Sequence, residues 1–118
     1  MKIVESTKSK IEKRTGGIFT GTVESIPLIN VDMGSKEFRA AIVTFPAGVR
    51  NKFHIHDHEQ ILWVVAGKGI VATEEEERVV NKGDIVLIPA GENHWHGATK
   101  DTAFSHLYVT KAETKTTF

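Results

Sequence analysis

Six histidines occur in this chain and none precedes position 54: His54, His56, His58, His94, His96 and His106. Neutral imidazole is the commonest metal ligand near physiological pH. His54 and His56 stand two apart in a stretch that reads as a strand, so a side-chain period of two turns both to one face, and Gln60 keeps the same parity. His94 follows the turn residues Pro89, Ala90 and Gly91 and arrives from a second strand. Three imidazoles and an amide oxygen therefore make a candidate site for one divalent transition metal per chain. Mn, Fe, Ni, Co and Zn all suit such donors, and their order of affinity does not choose among them. A lone histidine near an apolar strand is more often a hydrogen-bonded, half-buried residue. Several converging imidazoles without a cation would waste acceptors, and that count favours the metal.

Glu59 competes with Gln60 for the fourth position, but its odd parity points it away from the cavity on a regular strand. An amide leaves the ion's +2 charge uncancelled, which strengthens its Lewis acidity and disfavours oxidation to the trivalent state. His96 shares the parity of His94, and His106 alternates with Phe104 and Tyr108, so both can face inward and move a proton. A nearby cation would lower their pKa values and keep them neutral. The plainer role for each is to hydrogen-bond the ligands from outside. Ala41, Val43, Phe45, Leu62 and Val64 are the expected apolar wall of a small substrate pocket.

At 118 residues the chain is long enough for one domain with a core, and its 15 basic and 15 acidic side chains give zero formal charge. Nothing in that balance suggests a nucleic-acid partner. The absence of cysteine excludes disulfides and thiolate sites. No run has the length of a membrane span, and the N-terminus lacks the apolar core of a signal peptide, so a cytoplasmic protein is expected.

The elements that must position these residues are short strands. Lys2 to Glu5 reads as an edge strand, and the basic stretch Lys8, Lys10, Lys13 and Arg14 as a solvated surface. Ile18 to Val23 suits a strand interrupted at Gly21, and Pro27 limits further pairing. Phe38 to Phe45 is a longer strand with Ala41, Val43 and Phe45 on one face. One strand carries His54 and His56, another runs from Gln60 to Ala66 and stops at Gly67, and two more cover 69–73 and 78–81. The acidic run Glu74 to Glu77 suits a hairpin tip. D-I-V-L-I before Pro89 and Ala103 to Thr110 complete the set. Strands at this spacing without a usable helix indicate an all-β sandwich or barrel. Residues 1–37 are expected to form N-terminal strands and an extension, 38–110 the barrel, and 111–118 a frayed or partner-contacting tail. Ile61, Trp63 and Val65 have outward parity, so either the N-terminal strand or a second subunit should cover them.

Gly48, His54, His56 and Gly67, then Gly83, Pro89, Gly91 and His94, resemble the paired motifs of the cupin superfamily, a double-stranded β-helix or jelly roll. Gln60 stands where glutamate is usual and Ala98 where asparagine is usual. The strings F-T-G-T-V, H-W-H-G-A-T and T-A-F-S-H-L are similar to the small single-domain group that includes manganese-dependent hydroxynitrile lyases. That resemblance implies metal ligands at His54, His56, Gln60 and His94, with His96 and His106 free in the pocket as catalytic candidates. It also implies a homodimer. The expected activity is lyase-type cleavage of a carbon–carbon bond in a small hydroxyl or carbonyl substrate. A dioxygenase, a uronate-processing cupin and a non-catalytic binding protein are the alternatives. Few cationic groups are on offer for an acidic substrate apart from Arg39 and Arg50, and the sequence places neither of them inside.

Overall fold

The computed structural model describes residues 1–118. It contains ten strands: β1 (Glu12–Arg14), β2 (Val23–Ile29), β3 (Phe38–Phe45), β4 (Ile55–His56), β5 (Gln60–Thr73), β6 (Glu77–Asn81), β7 (Ile85–Ile88), β8 (His94–Ala98), β9 (Phe104–Lys111) and β10 (Thr116–Thr117). Helix is confined to two 3-10 turns, Ser6–Lys8 and Val31–Met33. The main sheet runs β1-β2-β3-β9-β5-β6, and β7 and β8 also pair with β5. All of these pairings are antiparallel. The result is the expected jelly-roll barrel.

Strand β5 joins the two walls. Its first half pairs with β9 and β7, and its second half with β8 and β6. The sequence places a break at Gly67, but the strand continues through it to Thr73. The reason is local: Gly67 adopts a φ of +75°, and a Cβ there would collide with the carbonyl oxygen of Ala103 on the neighbouring chain segment. Together with a register shift between Val64 and Ala66, this glycine bends one strand from wall to wall rather than ending it.

The N-terminal region departs from the expectations in other places. Lys2 to Glu5 has no ladder partner, and Ile18 to Val23 contributes a single bridge, Phe19 to Asn51, before β2 begins at Val23. β2 then runs through Pro27. The proline is accommodated because the register with β3 shifts between Pro27 and Ile29. At the other end, Thr116–Thr117 is not frayed: β10 pairs with β4 of the same chain.

Inward parity on three neighbouring strands builds the floor and wall of the barrel in rungs. Arg39, Thr110 and Gln60 share the outermost rung of β3, β9 and β5; Ala41, Tyr108 and Leu62 form the next, and Val43, His106 and Val64 the one below. Val43, Phe45, Val64, Phe104, Val23, Val80 and Ala98 make the apolar core, with Phe45 and Phe104 fully buried. Burying one such ring contributes about 2 kcal/mol. The core occupies one end of the barrel, which leaves the polar rungs for the other.

Outward parity has the opposite result. Ile61 and Trp63 are exposed, and their ladder partners Leu87 and Ile85 are exposed beside them. The N-terminal strand does not cover this rank. No helix is long and apolar enough to cross a membrane.

Candidate metal centre

His54 and His94 are locked to each other by their main chains. Each accepts a backbone hydrogen bond from the other, at 2.9 and 3.1 Å. The Gly91 N–H donates to the His56 carbonyl at 2.9 Å, which ties the Pro89–Gly91 turn to β4. These bonds place three imidazoles from two separate segments against one another. His54 and His94 have ring centroids 4.3 Å apart, and one ligand nitrogen from each of His54, His56 and His94 lies within 4.8 Å of the others.

Their outer nitrogens are already engaged. His54 Nδ1 donates to the Lys52 carbonyl at 2.6 Å, and His94 Nδ1 to the Glu92 carbonyl at 2.9 Å. His56 Nδ1 lies 2.9 Å from Thr116 Oγ1, a contact made by the tail. A ring that donates through Nδ1 presents a lone pair at Nε2, the arrangement metal-bound imidazoles require. The Nε2 atoms of His56 and His94 and the Gln60 Oε1 are buried without any hydrogen-bond partner. Such orphaned acceptors cost stability unless a cation or another donor meets them. The donor set therefore fits a divalent transition metal, with nitrogen and oxygen ligands and no thiolate. Glu59 is exposed while Gln60 is buried, so the amide is the side chain turned into the barrel.

His96 and His106 stand on the core side of the trio. The His96 ring centroid is 6.0 Å from that of His54 and 4.9 Å from that of His106. Asn51 holds His96: its Oδ1 accepts the His96 backbone N–H at 2.8 Å, and its Nδ2 lies 3.3 Å from the ring. Both nitrogens of His106 lack a hydrogen-bond partner. Its ring stacks on Phe45 at 5.8 Å.

Burial is the main cause of the low basicity of these rings. It brings His106 to about 4, with a contact to the Leu107 backbone offsetting it in part. His54 and His56 are also lowered to about 4 by burial, helped by neighbouring imidazoles. His94 is lowered by burial, and His96 well below its ordinary value by burial and then by His106 and the trio. The rings are thus neutral at pH 7 even without the cation that the sequence argument invoked.

A pH dependence follows. Each of these five imidazoles has a folded-state pKa below 6.5, so the unfolded chain takes up protons first. Their contribution to stability is fully present above pH 6.5 and is lost as pH falls toward 4. Urea unfolding of metal-stripped protein should show stability declining across that window, by at most about 1.4 kcal/mol per pH unit for each ring. A flat profile would mean that the rings are not held neutral.

His54, His56 and Gln60 open on a cavity of about 310 Å³, while His94 lies behind its lining. Val43 and Phe45 line it as expected, but Ala41, Leu62 and Val64 do not. Leu62 and Val64 are fully buried, Ala41 faces a neighbouring recess, and Tyr108, which shares the rung of Ala41 and Leu62, lines the cavity at that level. Asn51, His58, Thr116 and Phe118, to which the sequence assigned no role, also face it, as do Arg14, expected on a solvated surface, and Arg39, which the sequence did not place inside. His58 packs on His56 at 5.5 Å and bonds the Glu59 carbonyl through Nδ1. Arg39 could have been found from its parity with Ala41, Val43 and Phe45, whereas Thr116 and Phe118 carry no local signal. Arg50 lies instead over the Trp95 ring at 4.1 Å.

Comparison with known proteins agrees with this architecture. The profile of the cupin domain family matches residues 41–110. An (R)-mandelonitrile lyase from Granulicella tundricola is 40% identical over 94 residues, covering 77% of this chain and 70% of the relative. An acireductone dioxygenase from Trichormus variabilis is 30% identical over 92 residues, and the chain spans 48% of that relative's length. Among solved structures, a cupin-like protein from Thermotoga maritima superposes with a TM-score of 0.80 at 31% identity, over 87% of this chain and 81% of the other. The polyketide cyclase RemF from Streptomyces resistomycificus superposes with a TM-score of 0.86 at 22% identity, over 96% of this chain and 80% of its own, which speaks to the fold alone.

Proposed function

The chain belongs to the cupin family, and from that premise we propose that it is a metal-dependent lyase that breaks or forms a carbon–carbon bond next to a hydroxyl or carbonyl group, as in cyanohydrin cleavage. The observation that carries this reading is the set of buried, unpartnered acceptors on His56, Gln60 and His94, beside a further neutral imidazole, His106, whose nitrogens no structural bond consumes. His54, His56, His94 and Gln60 would hold the ion. When bound, it supplies Lewis acidity toward a substrate oxygen, undiminished by any carboxylate ligand.

The protein's own residues do the rest. His106, neutral and without a competing hydrogen bond, accepts the substrate hydroxyl proton, directly or through His96 beside it. The bonding pair of the carbon–carbon bond leaves on cyanide, the carbonyl forms, and cyanide takes the proton back. Asn51 holds His96 in register with the trio, and Val43 and Phe45 exclude water from one side. The similarity to a mandelonitrile lyase over most of both chains supports the same reaction class. The exposed rank of Ile61, Trp63, Ile85 and Leu87 supports a homodimer as the working unit.

The test is to strip the protein, add Mn²⁺, and assay release of cyanide from several aromatic and aliphatic cyanohydrins. Turnover that depends on added metal is expected, and its absence across the series would overturn the reading. The acireductone dioxygenase relatives support oxygenation at the same ligands as a second reading. Iron-dependent oxygen uptake would favour it.

A further inference from the structure

Arg39 lies on the same rung as Gln60, with Thr110 between them. Adjacent strands are about 4.8 Å apart, so the two backbones face one cavity from positions about 10 Å apart. Arg39 is half-buried and lines the cavity, and its side chain makes neither an ion pair nor a hydrogen bond within the chain. No Asp or Glu lines that cavity. Arg39 also lines an adjoining recess together with Glu12 and Asp32, and neither carboxylate comes within ion-pairing distance of it. Glu12 is engaged instead by Arg14, at 3.4 Å, and Arg14 also lines the cavity.

A guanidinium placed on an inward position costs desolvation, which a structural role would normally offset with a carboxylate. Here the offset is missing, the cavity has no negative group, and the ligand set contains no anion. We infer that Arg39, with Arg14 lining the same cavity, is an anion subsite, and that the substrate carries a carboxylate at the end opposite the oxygen directed to the candidate metal ligands. The planar fork of arginine suits a carboxylate in two parallel hydrogen bonds. For its chemical consequence this rests on the proposed metal-centred reaction, whereas the subsite itself exists without the ion.

The experiment measures binding of pyruvate, methyl pyruvate and inorganic phosphate to stripped and to Mn²⁺-loaded protein by calorimetry, for the parent, Arg39→Gln and Arg39→Lys. Pyruvate should bind at least about tenfold more tightly than its ester, and Arg39→Gln should weaken pyruvate by about tenfold or more. Ester and Mn²⁺ affinities should not change, and Arg39→Lys should recover part of the loss. Because a carboxylate can also bind the ion directly, the arginine variants decide the matter. Equal binding of acid and ester, or unaltered pyruvate affinity in Arg39→Gln, would overturn the subsite. Phosphate binding more tightly than pyruvate would overturn the carboxylate assignment. Failure of the parent to bind Mn²⁺ would count against the proposed reaction, while the same comparison on stripped protein would still decide the subsite.

Discussion

Replacing His94 by alanine removes the stabilisation that a divalent ion confers while leaving the metal-free fold intact. In the parent, Mn²⁺ at about 100 times its Kd should raise the unfolding free energy by about 2.7 kcal/mol. For a domain of this size that is on the order of 10 °C in Tm. His94 offers one of three converging nitrogens, and its Nδ1 is committed to the Glu92 carbonyl. Losing it leaves two imidazoles and an amide, and affinity should fall well beyond the 10–100-fold typical of losing an outer partner. The metal-free variant should not be weaker by more than the packing it loses, because the substitution also removes an orphaned buried acceptor. Thermal unfolding with and without Mn²⁺ reads both effects. A variant that gains as much from the ion as the parent does would show that the ligands lie elsewhere.

Substituting His106 by leucine should separate stability from activity. The ring is 1% exposed and both its nitrogens are unpartnered, among Phe45, Phe104 and His96. Such a group costs about 1–3 kcal/mol, and an apolar side chain of similar size does not incur that cost. His106→Leu should therefore be more stable than the parent by up to about that amount. Loss of a positioned proton acceptor should lower metal-dependent turnover by about 10²- to 10⁴-fold. Urea unfolding and the cyanohydrin assay measure the two quantities on one preparation. A gain in stability with full turnover would remove His106 from the reaction and favour a role for His96 alone. A protein that merely binds its ligand would show the stability gain and no turnover to lose.

Stability given up at a site that could have been apolar is the pattern expected where function sets the residue. The same pattern holds at Arg39, and both positions lie on inward rungs of β9 and β3. It does not hold at Gly67, whose left-handed φ and close approach to Ala103 serve the fold by bending β5.

Much of this was legible in the residues themselves because strand parity is a local property. His54, His56 and Gln60 share a parity, as do Arg39, Ala41, Val43 and Phe45, and no tertiary contact is needed to see that each set has one face. Composition and turn residues likewise indicated an all-β barrel, and β3 begins and ends at the expected residues. Parity does not say how deep a residue sits or what stands beside it. That Tyr108 rather than Leu62 lines the cavity, that Arg39 is level with Gln60, and that Thr116 reaches His56 from 60 positions away all depend on which strands pair and in which register. Pairing is decided by contacts between distant segments competing for one core, and those energies are not carried by any single stretch of chain.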